Sequence, residues 1–136
     1  MSTRRIDSII IHCSATPNGR YHTAEDINRW HIEMGFRSVG YHYIIRTDGV
    51  TEQGRDEAIP GAHVAGHNSN SIGVCMIGTD EFSPEQWASL EGIVSLLKHK
   101  YPDADVLGHN DFTDAKTCPG FNVLEWYSDV RNRIKN

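Results

Sequence analysis

The sequence predicts an α/β fold: a single domain with a mixed central β-sheet flanked by about three α-helices. Three observations lead there. Short β-branched runs at Ile9-Ile10-Ile11, Ile44-Ile45 and Ile72-Gly73-Val74 read as strands, and they alternate with segments whose apolar residues recur every three or four positions. An Asp48-Gly49 turn joins two adjacent strand-like runs, which adds an antiparallel pair to the sheet. A length of 136 residues suits one domain, residues 1–136, with a real core and no room for a second module of comparable size.

Ser8 to Cys13 reads as a strand buried on both faces and carrying His12 at its end, because consecutive β-branched residues favour extended backbone. Ser14 to His22, with Pro17-Asn18-Gly19, is a loop by its turn chemistry. Thr23 caps the first helix with Asp26 completing a near capping box, and Ile27, Trp30, His31 and Met34 then form an apolar stripe expected to face the core, with His31 at its edge. Gly35 stops that helix. Val39 to Arg46 and Val50 to Glu52 form the hairpin around Asp48-Gly49, and residues 54–70 form a polar loop.

Ser71 to Ile77 is a second buried strand, with Cys75 in the core. Ser83-Pro84 opens the second helix, whose core stripe is Trp87, Leu90, Val94, Leu97 and Tyr101 and whose end is marked by Pro102. Val106 and Leu107 make the last short strand, leading to His109. Asn122 caps a third helix bearing Trp126, Tyr127, Val130 and Ile134.

Thirteen basic against eighteen acidic residues give a net charge of −5, with no basic cluster to neutralise a phosphate backbone, so nucleic acid is not the expected partner. No run approaches the ~20 apolar residues of a membrane span, and the N-terminal segment does not read as a signal peptide. Three cysteines, Cys13, Cys75 and Cys118, are an odd number that argues against a disulfide framework and leaves thiol available for metal.

The chemistry concentrates at His12, His109 and Cys118. His109 and Cys118 are joined by a polar loop, 110–117, with little of its own to bury, and two imidazoles with one thiolate make a three-ligand zinc site whose fourth tetrahedral position is open. An open site is the catalytic form of zinc, which points to metal-assisted hydrolysis. The same residues also admit a thiol mechanism, Cys118 as nucleophile and His109 as base. Asp111 and Asp114 read as turn residues, His42 as structural because alternation opposes it to Tyr41, and Cys13 as buried and inert because alternation opposes it to His12.

Seven strings occur in a recognisable order: Ile11-His12-Cys13-Ser14-Ala15-Thr16, Gly40-Tyr41-His42-Tyr43-Ile44-Ile45, Asp48-Gly49, Gly54-Arg55, Gly61-Ala62-His63, Asn70-Ser71-Ile72-Gly73-Val74 and Lys116-Thr117-Cys118-Pro119-Gly120. By these the chain resembles, over nearly its whole length, the zinc N-acetylmuramoyl-L-alanine amidases of the phage lysozyme type, relatives of the peptidoglycan recognition proteins. The resemblance implies their fold, one zinc on His12, His109 and Cys118, catalytic roles for Tyr41 and Lys116, and a substrate groove at His63 and Asn68. It also implies hydrolysis of the amide between N-acetylmuramic acid and L-alanine, with peptidoglycan or a muropeptide as partner.

Relatives that only bind lack the cysteine ligand, so Cys118 favours catalysis over a non-catalytic binding module. The absence of a signal peptide fits a phage or prophage endolysin, made in the cytoplasm and acting on the wall after release. A cytoplasmic amidase that recycles muropeptides is the enzyme alternative. The expected protein is a monomeric catalytic domain without membrane insertion or a separate wall-binding domain.

Overall fold

The computed structural model describes residues 4–113 and 118–135. Five strands form one sheet: β1 (Ser8–Cys13), β2 (Tyr43–Ile45), β3 (Thr51–Gln53), β4 (Ser71–Met76) and β5 (Asp105–Gly108), in the order β3-β2-β4-β1-β5. The central β1 is parallel to both neighbours, with His12 opposite Cys75 and Ile11 opposite Gly108. Strand β2 runs parallel to β4, and β3 closes the far edge antiparallel to β2. The sheet is mixed, as expected, and the antiparallel pair is the Asp48-Gly49 hairpin, with Gly49 at φ +87°.

Three helices cover the sheet: α1 (Ala24–Glu33), α2 (Pro84–Lys100) and α3 (Val123–Lys135). Each starts where its cap places it. Thr23 accepts from Asp26 N while the Asp26 carboxylate accepts from Thr23 N, and Ser83 and Gln86 repeat that reciprocal pair at α2. Asn122 Oδ1 accepts from Glu125 N at 3.0 Å at the start of α3. Gly35, at φ +99°, follows α1 in a conformation that side chains with a Cβ rarely adopt.

Alternation along the strands sorts the core into two layers. Ile9, Ile11, Ile72, Val74 and Met76 pack with Leu90, Val94 and Leu97 of α2 and Val123 of α3. On the other face Ile44, Cys75 and Ile77 pack with Ala24 and Ile27 of α1. Leu97 is fully buried in the first layer. Leu97→Ala is therefore expected to reduce the free energy of unfolding by about 2–5 kcal/mol, measured as a lower urea midpoint with unchanged slope.

Two expectations need correction. The stripe of α1 faces the core at Ile27 and, half-buried, at Trp30, but its last turn faces a cleft, leaving Met34 70% exposed. The strand expected over Val39 to Arg46 is confined to Tyr43–Ile45. Residues 40–42 instead exchange main-chain bonds with the following loop, through Ala62 N to Gly40 O, Arg55 N to Tyr41 O and Gly54 N to His42 O. Among the described residues no helix is long and apolar enough to cross a membrane.

Candidate metal centre and active site

His12 sits at the carboxyl end of the central strand, 1% exposed. Immediately after the neighbouring parallel strand, β5 gives way to a single 3-10 turn, His109–Asp111, tightened by Gly108 N donating to Asp111 Oδ2 at 2.8 Å. Asp111 is thus a turn residue, as expected. The chain returns through Asn110 N, which donates to Cys118 O at 2.8 Å and sets Cys118 beside His109. Cys118 Sγ accepts from Cys13 N at 2.8 Å.

These connections bring the end of β1 together with the two ends of one loop almost a hundred residues further along the sequence. One ligand atom from each of His12, His109 and Cys118 lies within 4.8 Å of the others. Tetrahedral zinc, with bonds of ~2.0–2.3 Å, sets its ligand atoms ~3.3–3.8 Å apart, so a small contraction of the group accommodates the ion. The donor set also fits: imidazole and thiolate suit zinc, and three protein ligands would leave one tetrahedral position for water or substrate.

Burial, reinforced by His63 and His109, holds the His12 imidazole well below its usual pKa, so its ring is neutral and retains the lone pair a metal needs. Without a metal, the adjacent Cys13 thiol and burial push the Cys118 thiol up. A coordinated cation would reverse that balance and hold the sulfur as thiolate.

A cleft of about 370 Å³ opens beside this group, lined by Ala15, Trp30, His31, Met34 and Tyr41 as well as by His109 and Cys118. Tyr41 lies with its ring centroid 5.0 Å from that of His12. Burial, with the nearby Cys75 and Cys118, raises its phenol well above the usual value, so it stands as a hydrogen-bond donor. Its backbone is clamped: a Cβ at Gly54 would lie 2.3 Å from Tyr41 O, and one at Gly40 would lie 2.1 Å from Ala62 O. Such close approach explains why a glycine precedes Tyr41 and another, Gly54, lies against its carbonyl.

His63 enters from that loop, with Nδ1 2.9 Å from His12 Nε2 and Nε2 3.2 Å from Ser71 Oγ. Burial, then His42 and His109, push its pKa down to about 3. Asn68 does not project freely: its Oδ1 accepts from the main-chain N–H groups of both His63 and Val64 at 2.9 Å. His42 is structural, as expected, accepting at Nδ1 from Gly73 N at 3.0 Å and meeting Ile59 O through Nε2 at 2.8 Å. His31 Nδ1 accepts from Gly40 N at 2.8 Å, anchoring α1 to the Tyr41 segment.

The structure therefore brings together His12, His109, Cys118, Tyr41 and His63. Lys116 and Asp114 lie outside the described residues, as does the side chain of Ile134. Cys13 is buried, as expected, but it lines the same cleft and its amide supports Cys118. Strand β1 ends at Cys13, so alternation no longer separates its two sides there.

Sequence reasoning missed Arg4, whose guanidinium donates to the carbonyls of Glu57, Asn68, Ser69 and Ser71 and meets His42 Nε2 at 3.3 Å. The Arg4-Arg5 pair near the N-terminus carries no local signal of that role. Glu57 was missed too; its carboxylate accepts from Tyr43 and Tyr101 and pairs with Lys100 at 3.0 Å, tying the 54–62 loop to the end of α2.

The sequence profile of the N-acetylmuramoyl-L-alanine amidase family matches residues 2–121. The endolysin of Enterobacteria phage K11 is 40% identical over 124 residues, which span 85% of this chain and 82% of that protein. Among solved structures, the N-acetylmuramoyl-L-alanine amidase LysC from Clostridium intestinale URNW aligns with a TM-score of 0.83 at 27% identity, over 97% of this chain and 87% of its own. Drosophila PGRP-LB aligns with a TM-score of 0.80, also at 27% identity, over 93% of this chain and 82% of its own. The fold, the seven ordered strings and the profile agree, and the chain belongs to the N-acetylmuramoyl-L-alanine amidase family.

Proposed function

We propose that this enzyme hydrolyses the amide between N-acetylmuramic acid and L-alanine in peptidoglycan, as a phage-type endolysin with one zinc held by His12, His109 and Cys118. The observation that supports this most directly is the convergence of those three donors at the mouth of a cleft that also contains Tyr41. His12, His109 and Cys118 would hold the zinc, which would supply Lewis acidity at the scissile carbonyl and at water.

The chain's own groups do the rest. His12 is held rigidly by the central strand and His109 by its 3-10 turn, so the donor geometry is set before substrate arrives. Trp30 and Met34 give one side of the cleft an apolar lining on which substrate can pack. The Tyr41 hydroxyl donates at the reacting centre and supplies a proton to the departing nitrogen. Lys116, near Cys118 in sequence, stabilises negative charge developing on the carbonyl oxygen. In balance, the carbonyl carbon–nitrogen bond breaks, the water oxygen joins the carbonyl carbon, and the alanine nitrogen leaves as a free amine.

The protein acts as a monomer on the cell wall after release from the cytoplasm. Similarity to a phage endolysin favours intact wall over soluble muropeptide as substrate.

Digestion of purified sacculi tests this reading. New L-alanine amino termini are expected to appear as the wall clears, to vanish with a chelator and to return with zinc, while no new reducing sugar ends form. Glycan cleavage needs two positioned carboxylates, and among the described residues none lines the cleft. New reducing ends, or amines from another residue, would overturn the reaction. Faster turnover of soluble muropeptide than of intact sacculi would favour recycling over lysis.

A further inference from the structure

We infer that His63 is a positioning residue for the metal centre: it fixes the tautomer and ring orientation of His12 through a directed hydrogen-bond chain, His12 to His63 to Ser71. This rests on the proposed zinc site. His12 Nε2 is 2.9 Å from His63 Nδ1, so that edge of the His12 ring is already engaged and Nδ1 is left as its donor atom. A ring that gives its Nδ1 lone pair to a metal carries its proton on Nε2. The proton then points at His63 Nδ1, which must be the acceptor, and the remaining His63 proton, on Nε2, points at Ser71 Oγ 3.2 Å away. Every donor meets an acceptor in only one direction along this chain.

His63 is itself built into place. A Cβ at Gly73 would lie 2.9 Å from three atoms of its ring, and one at Gly61 would lie 2.6 Å from Cδ2, so both positions leave room for the imidazole alone. Asn68 Oδ1 grips the His63 and Val64 amides, and Arg4 holds the carbonyls of Asn68, Ser69 and Ser71 at the base of the loop. Loop 57–71 is thereby a brace for one ring. In metalloproteins the second nitrogen of a ligating histidine is usually held by a carboxylate or carbonyl; here a neutral imidazole takes that part.

The test is zinc affinity, by chelator competition, together with the His12 tautomer, by long-range proton–nitrogen NMR of the zinc-loaded chain. His63→Leu removes the acceptor at similar bulk and is expected to weaken zinc binding by roughly 10–100-fold. His63→Asn, which offers a carbonyl oxygen near the place of Nδ1, is expected to recover most of that loss. In the unaltered protein His12 is expected with its proton on Nε2, a measurement that needs no variant to fold. Unchanged zinc affinity in His63→Leu with only KM raised would overturn the inference and make His63 a substrate contact. A His12 proton on Nδ1, or equal loss in the leucine and asparagine variants, would also overturn it. If the unaltered chain bound no zinc, the proposed metal centre would itself fall, an outcome distinct from failure of the brace.

Discussion

Cys118→Ala is expected to lose both stoichiometric zinc and measurable amidase turnover, with the fold retained. Three protein ligands are the minimum of an open zinc site, and the thiolate is the only anionic one here. Removing it leaves two neutral imidazoles, one of them on a short turn beside a loop end, and replaces a strong metal–sulfur bond with solvent. The core should hardly notice: Cys118 is half-buried outside both hydrophobic layers, its side chain bonds to the Cys13 main chain, and the bond from Asn110 N to its carbonyl survives the substitution. Elemental analysis after dialysis, circular dichroism and release of L-alanine amino termini together decide the matter. A variant that keeps one zinc and normal turnover would remove Cys118 from the ligand set.

That expectation was available from sequence because the features behind it are local. His109 and Cys118 bracket one loop, and Ile9, Ile10 and Ile11 announce the strand that carries His12. The caps Thr23 and Ser83 and the stop at Gly35 were legible for the same reason, since each acts within one turn of its helix.

Tertiary roles were not legible. The stripe Ile27, Trp30, His31, Met34 shows its period but not what lies opposite: Ile27 is buried, Trp30 packs half-buried at the edge of that layer, and Met34 is exposed. Arg4 meets carbonyls more than fifty positions away, and His63 meets His12 across a separation of 51 residues. Closures of that kind depend on the finished parallel sheet, in which β4 brings Ser71 and Gly73 alongside β1. The glycines Gly40, Gly54, Gly61 and Gly73 were visible as letters in the family strings. Only the fold reveals that they make room for Tyr41 and His63.

Tyr41→Phe is the more discriminating experiment, because it separates chemistry from metal retention. The change deletes one hydroxyl and keeps the ring that packs 5.0 Å from His12 and against Trp30 and the α1-side core. Zinc content and the thermal midpoint should therefore stay close to those of the unaltered protein. Turnover should fall by roughly 10²-fold or more, the usual consequence of losing a positioned proton donor. The loss should appear in kcat rather than KM, since on the proposed mechanism the hydroxyl acts at the reacting centre while the ring keeps its place in the cleft wall. Lys116→Ala is expected to behave alike, with zinc retained and kcat reduced, if its ammonium acts on the carbonyl oxygen as proposed. Full activity in either variant would remove that residue from the mechanism. Lost zinc in Tyr41→Phe would instead mean that the phenol supports His12, placing it with His63 in the brace of the metal centre.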